Sequence, residues 1–257
     1  MDNRELYESY GGNYSETDVV ELNNLSGRDS FVVNTLKSRF LNSDSTKSIL
    51  EMSIGNPIFS RALLSTSESI SLTCADISEP RINYYESTFS NVEIGDRSNI
   101  SFIKCNFDTD LEKINECEFD SIIALDVLEH VFDVFGFVDN CYRMIKSNGI
   151  LILRVPNLAY IKHRFGLLFG YLPITSSWFG SNNSLDAWRQ KYGWDGSHLH
   201  YFTLPLLIKL LKEGGFSIES YQDAGANYQF IRSLLPELLF GNLLVIASKN
   251  KRSSIQG

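Results

Sequence analysis

A chain of 257 residues with 43% hydrophobic content fits one large α/β domain or two small ones, and carries ample material for a core, which excludes a disordered protein. The formal charge of −8 argues against a nucleic-acid backbone or an anionic membrane as main partner, because either requires a basic face. Cys74, Cys105, Cys117 and Cys141 lack the close-paired spacing of a metal site, and three fall within or beside predicted buried segments. Reduced thiols in a cytoplasmic setting are expected, with neither a disulfide nor a bound metal.

Residues 1–28 are polar and read as an arm or lid. Met1 to Tyr7 carry no apolar signal region, and nothing approaches the ~18 to 20 uninterrupted apolar residues of a membrane span, so a soluble cytoplasmic protein is expected. The spacing of Phe31, Val32, Leu36, Phe40 and Leu41 predicts a helix over 29–41, with Ser26 or Asp29 able to cap it. Short apolar strands are predicted at 48–53, 70–75 and 100–105, with a weak helix at 59–64.

The fourth strand lies in the stretch Phe119 to His130, where an apolar run ends in Asp126, Glu129 and His130. An amphipathic helix over 131–145 follows, closed by Ser147-Asn148-Gly149, and a fifth strand over 149–155 ends in Pro156-Asn157. This alternation predicts βαβ units, a parallel sheet and right-handed crossovers. The strand ends carry Glu51, Asp76, Asn106 and Asp126. Ligands of open parallel sheets bind beyond the carboxyl ends of the strands, so these groups predict a shared crevice.

Residues 157–203 break the pattern with an aromatic-rich insertion, expected to be a lid over the acceptor, a packed subdomain, or both. Its stretch 164–178 also reads as a candidate interfacial helix, although membrane contact is not favoured. A helix over 204–213, with Pro205 in its first turn and Gly214-Gly215 at its end, precedes strands at 216–221 and 243–247. Residues 249–257 form a polar tail.

This order of elements resembles the class I S-adenosylmethionine-dependent methyltransferases over about residues 30–248. The specific pieces are Phe119-Asp120 through Leu128-Glu129-His130, Asn148-Gly149-Ile150-Leu151 with Val155-Pro156-Asn157, and His198-Leu199-His200-Tyr201-Phe202-Thr203 before Glu213-Gly214-Gly215-Phe216. Together they look like the small-molecule and glycan branch of that family.

The resemblance implies a Rossmann-like sheet of seven strands, mostly parallel, in a methyltransferase domain over 29–248. It also implies S-adenosylmethionine as cofactor and S-adenosylhomocysteine as product. Asp76, with Ile77 beside it, matches the acid that holds the ribose hydroxyls; Asn106 and Phe107 match the pair flanking adenine. Asp126 and Val127 match the lining of the methionine half, and Glu51, Ser53 and Gly55 the turn after strand one. There the family's acid-x-Gly-x-Gly-x-Gly pattern reads Glu51-Met52-Ser53-Ile54-Gly55-Asn56-Pro57, keeping only the middle glycine.

For the base that takes the acceptor's proton, histidine suits neutral pH. His198 and His200, two apart in an extended segment, are expected to share a pocket wall and rank first; His130 follows, then Tyr201. Glu129 is assigned to a helix terminus or lid contact.

The expected reaction is methylation of an oxygen or nitrogen of a small molecule, with a sugar or sugar nucleotide of surface-polysaccharide synthesis as first guess. A homodimer is allowed for. Ser53 and Pro57 keep open a methyltransferase-fold protein that binds or scaffolds without transfer, or one that holds another nucleotide-like ligand.

Overall fold

Successive side chains of the central strands fall alternately into two apolar layers. Leu50, Met52, Ile122, Ala124, Leu151 and Leu153 enter one, while Ile49, Ile123, Ile150 and Ile152 enter the other. A strand buried on both faces must be apolar throughout, and helices must cover both sides. A computed structural model describes residues 25–40, 45–55, 57–67, 69–90, 99–115, 118–175, 198–223 and 227–250.

The elements run α1 Gly27–Phe40, β1 Lys47–Met52, α2 Pro57–Leu64, β2 Ile70–Asp76, α3 Glu79–Ser90, β3 Ile100–Lys104, β4 Phe119–Leu125 and α4 Val134–Met144. They continue with β5 Ile145–Pro156, α5 Ile161–Leu168, α6 Leu204–Glu213, β6 Phe216–Gln222, α7 Gln229–Ser233, α8 Pro236–Leu239 and β7 Asn242–Lys249. One sheet of seven strands has the order β3-β2-β1-β4-β5-β7-β6. β1 to β5 pair in parallel, and β7 lies antiparallel between β5 and β6. This is the Rossmann-like α/β fold expected from the sequence.

Helices α1, α2 and α3 cover one face through Val32, Leu36, Phe59, Leu63, Ile82 and Tyr85. On the other face α4 and α6 bury Phe137, Val138, Cys141, Leu207 and Leu211. Ser26 caps α1, its hydroxyl accepting from the Asp29 amide at 3.0 Å. Helix α3 does not stand out from its sequence because only Ile82, Tyr85 and Phe89 of its twelve residues are buried. The short α7 and α8 were likewise absent from the sequence expectation.

The fourth crossover differs from expectation. Helix α4 starts three residues later than predicted, capped by Asp133, whose carboxylate accepts from the amides of Phe135 and Gly136 at 3.1 and 2.9 Å. Residues 145–148 belong to β5, with Asn148 left-handed at φ 67°. A Cβ on Gly149 would stand 2.9 Å from the Asp120 carbonyl, so the close approach of the two strands requires glycine there.

Of the insertion, 176–197 lie outside the described residues, as do the N-terminal residues 1–24 and the tail from 251. Within its described part α5 ends at Leu168, because Phe169 closes a tight turn onto Gly166 and Gly170 turns left-handed at φ 79°. The helix predicted over 164–178 is thus shortened and displaced. It buries none of its residues, leaving Phe165, Leu168 and Phe169 exposed. Among the described residues no helix is long and apolar enough to cross a membrane.

The Asp133 cap can be tested without disturbing the core. Asp133→Ala should cost ~1 kcal/mol and lower the thermal midpoint by about 2 to 4 °C, read by circular dichroism, with the folded spectrum unchanged.

Candidate functional site

The carboxyl ends of β1, β2, β4 and β5 surround a cavity of about 420 Å³. Every cofactor position expected from the sequence lines it. Glu51, Ser53 and Gly55 come from the β1 turn, Asp76 and Ile77 from the end of β2, Asn106 and Phe107 from beyond β3, and Asp126 and Val127 from beyond β4. The strand ends converge as the topology requires.

At the β1 turn Ser53 is left-handed, with φ 62°. That conformation favours glycine, so the first missing glycine of the family pattern is replaced by a residue that keeps its backbone shape at a cost of about 1 kcal/mol or more. Gly55 leaves open space: a Cβ there would meet nothing within 4 Å. Pro57 opens α2 at a position where its missing amide costs little.

Asp76 is buried at 2% exposure and ties this turn to β2. Its carboxylate accepts from the amides of Ile54 at 2.9 Å and Ser78 at 2.8 Å, and Arg81 approaches to 3.3 Å. Burial raises its pKa, opposed by Arg81 and the two amides. A carboxylate offers about four lone-pair sites, so one remains for a ribose hydroxyl; a second hydroxyl contact requires Arg81 to withdraw. The residues thus fit a ribose, with Arg81 as a competitor.

Glu51 is buried beneath the turn, accepting from the Ser60 hydroxyl at 2.6 Å and the Cys74 thiol at 3.6 Å. Burial pushes its pKa up to about 7 despite those two bonds. Asn106 and Phe107 are half-buried; the Asn106 side-chain oxygen accepts from the Asp108 amide at 3.0 Å, and Phe107 meets Phe137 edge-on.

The β4 side is charged. Asp126 is left-handed at φ 59° and pairs with Arg28 of α1 at 3.2 Å and with Arg154 of β5. Of the two contacts expected for Glu129, a helix terminus or the lid, it makes the second: its carbonyl accepts from the amides of Leu199 and His200 in the insertion. It precedes α4, is 1% exposed and lines the cavity, with neither carboxylate oxygen hydrogen-bonded to another residue. Burial, then the Asp126 charge, push its pKa well above the usual range, with its own amide and Arg154 opposing.

The histidines divide differently from expectation. His130 and His198 both line the cavity, their rings packed edge-to-face 4.8 Å apart. His198 Nδ1 lies 2.6 Å from the Thr175 hydroxyl, and Nε2 lies 3.9 Å from Glu129 Oε1. His200 and Tyr201 do not line the cavity, and the His200 ring stands 3.2 Å from the Phe132 carbonyl. Residues 198–200 are bent rather than extended: the amides of Leu199 and His200 both donate to the Glu129 carbonyl, so the strand-like alternation fails.

Sequence reasoning did not identify Arg28, Arg81, Arg154 or Thr175. Arg154 had a readable signal, a lone cation in the apolar run Ile150-Leu151-Ile152-Leu153-Arg154-Val155. Arg28 and Arg81 lie on helices, outside the logic of strand ends.

Residues 50–151 match the sequence model of a methyltransferase domain. The rat mitochondrial ubiquinone biosynthesis O-methyltransferase (Rattus norvegicus) is 30% identical over 70 residues, 27% of this chain and 20% of that protein. The chain thus spans about a fifth of the length of the curated relatives it matches.

Among solved structures, a SAM-dependent methyltransferase from Methanosarcina mazei superposes with TM-score 0.57 at 19% identity, covering 82% of this chain and 96% of that one. An S-adenosylmethionine-dependent methyltransferase from Mesorhizobium loti gives 0.55 at 16% identity, with 84% and 96% covered. The fold is that of the S-adenosylmethionine-dependent methyltransferases. In sequence the resemblance to a methyltransferase domain spans residues 50–151.

Glu51 makes stability depend on pH. Its folded pKa is raised from 4.5 to about 7, so the folded state holds the proton more tightly. Stability from this group is present below about pH 4.5 and declines as pH rises toward 7, by ~3 kcal/mol in all. Glu51→Gln should flatten that decline in denaturant titrations at pH 5, 6 and 7, relative to the unaltered chain.

Proposed function

We propose that the protein is an S-adenosylmethionine-dependent methyltransferase acting on an oxygen or nitrogen of a small molecule. The observation that carries this reading is the convergence of Asp76, the left-handed Ser53 turn with the open space at Gly55, and the Asn106-Phe107 pair on one cavity. The methyltransferase-domain match over 50–151 supports it. S-adenosylmethionine supplies a methyl group on a positively charged sulfur, which departs as a neutral thioether.

In this reading Asp76 accepts from the ribose, and Phe107 offers its ring face to adenine. Arg28 and Arg154 provide positive charge beside Asp126 for the carboxylate of the methionine half. Alignment of the acceptor supplies much of the rate, since the methyl group is already activated. The acceptor meets Glu129, His130 and His198 on the β4 side, and its proton leaves there. A sugar or sugar nucleotide of surface-polysaccharide synthesis is the first acceptor to test. Hydroxyl compounds without a sugar, phenols included, are the second, because the relatives are named O-methyltransferases of ubiquinone biosynthesis.

A binding protein without transfer is the second reading, favoured by Arg81 standing on the ribose-binding carboxylate. Calorimetry separates binding from its absence. S-adenosylhomocysteine should bind with micromolar affinity, and Asp76→Ala should weaken it by about 10- to 100-fold, the loss of a charge-assisted hydrogen bond. No heat with either S-adenosylmethionine or S-adenosylhomocysteine overturns cofactor binding; binding without transfer to any sugar or phenol tested favours the second reading.

A further inference from the structure

The carboxylate that a ribose meets in this cavity is already shared, and the way it is shared selects among riboses. Asp76 Oδ2 accepts from the Ile54 amide at 2.9 Å and from Arg81 Nη1 at 3.3 Å, while Oδ1 accepts from the Ser78 amide at 2.8 Å. Each carboxylate oxygen has about two lone-pair positions, so Oδ2 is filled and Oδ1 keeps one. A ribose with both hydroxyls free brings two donors to a carboxylate with one acceptor position left.

Arg81 is itself held in place. It is the third residue of α3, its Nη1 also donates to the Ile54 carbonyl at 3.2 Å, and it lines the cavity beside Asp76. Withdrawing it to admit the second hydroxyl breaks an ion pair whose carboxylate is buried, which is costly. Left where it stands, it puts a guanidinium where the second ribose oxygen arrives. A guanidinium carries five N–H donors in a planar fork that matches phosphate, so it can hold a carboxylate on one edge and a phosphate on another. Glu79 and Lys104, at the same end of the sheet, pair with each other and do not line the cavity.

We propose that the cavity binds an adenosine whose ribose carries a phosphate on its 2′ or 3′ oxygen, with Asp76 accepting from the remaining hydroxyl and Arg81 holding the phosphate. One donor and one anion on neighbouring carbons meet one acceptor and one guanidinium on neighbouring side chains. In dinucleotide-binding sheets the same exchange, a carboxylate for a ribose hydroxyl or an arginine for a ribose phosphate, separates two cofactors. The inference rests on the placement of adenosine in the methyltransferase reading and goes beyond it. S-adenosylmethionine has both hydroxyls free, so the phosphorylated nucleoside is a second ligand, one that competes for the same seat without moving Arg81.

Calorimetry on the full chain tests this with adenosine 2′-, 3′- and 5′-monophosphate, isomers of one charge that differ in which ribose oxygen bears the phosphate. The 2′ or the 3′ isomer should bind about tenfold or more tightly than the 5′ isomer and adenosine, the contribution of a charge-assisted hydrogen bond. It should also displace S-adenosylhomocysteine, and the tighter of the two identifies the phosphorylated oxygen. Arg81→Ala should shrink the preference to less than about twofold and, by clearing Asp76, tighten S-adenosylhomocysteine by about three- to tenfold; an unchanged thermal midpoint guards against misfolding as the explanation. Arg81→Lys keeps the charge without the fork and should retain part of the preference. No saturable binding of the 2′ or 3′ isomer, equal binding of all three, or a preference that survives Arg81→Ala overturns the proposal. S-adenosylhomocysteine binding without discrimination among the isomers removes this inference and leaves the methyl-transfer reading standing; discrimination without S-adenosylhomocysteine binding does the reverse.

Discussion

The site depends on a hydrogen bond between the Ile54 amide and the Asp76 carboxylate, 2.9 Å long and buried. It links the turn leaving β1 to the end of β2, whose strands are already held in register from Lys47↔Ile70 to Met52↔Ala75. The turn must reverse within two residues of the strand end, which places Ser53 in the left-handed region. Bonded to Asp76, the turn lines the cavity and leaves space at Gly55. A single carboxylate therefore shapes the crevice and stands ready to bind in it.

A second constraint operates across the sheet from Asp76. Asp126, also left-handed, is held between Arg28 and Arg154, so α1, β4 and β5 meet at one ion cluster. Beyond it Glu129 is buried without such a partner, and the Leu199 and His200 amides bond to its carbonyl. The two sides of the cavity thus differ in character. The Asp76 side is hydrogen-bonded and close to satisfied, whereas the Glu129 side holds buried polar groups whose needs the described residues do not meet.

Much of the fold was legible because buried parallel strands announce themselves as apolar runs with polar ends. Glu51, Asp76, Asn106 and Asp126 marked those ends, and all four line the cavity. Helix α3 escaped because its buried face is narrow, and the start of α4 was misplaced because Val131 continues the apolar pattern before the Asp133 cap. The Glu129 side was less readable. Alternation predicted that His198 and His200 would face one way, but hydrogen bonds to a carbonyl 70 residues upstream bend that segment, and no local pattern encodes them. The degenerate glycine turn gave the opposite lesson, since Ser53 retains the glycine-like conformation that its identity concealed.

The ends of the insertion meet. Asn157 and Phe202 form a parallel bridge, and the Leu158 amide donates to the Phe202 carbonyl at 2.8 Å. The two ends of the stretch between them are thus pinned together just beyond β5, and the entropy of closing a chain segment grows only with the logarithm of its length, about 0.6 kcal/mol per doubling. Lengthening or rewriting it would leave the strands and the Asp76 side untouched. Within this architecture one half of the cavity is fixed by construction, and the other behaves as an exchangeable cassette through which a shared scaffold can acquire new ligands.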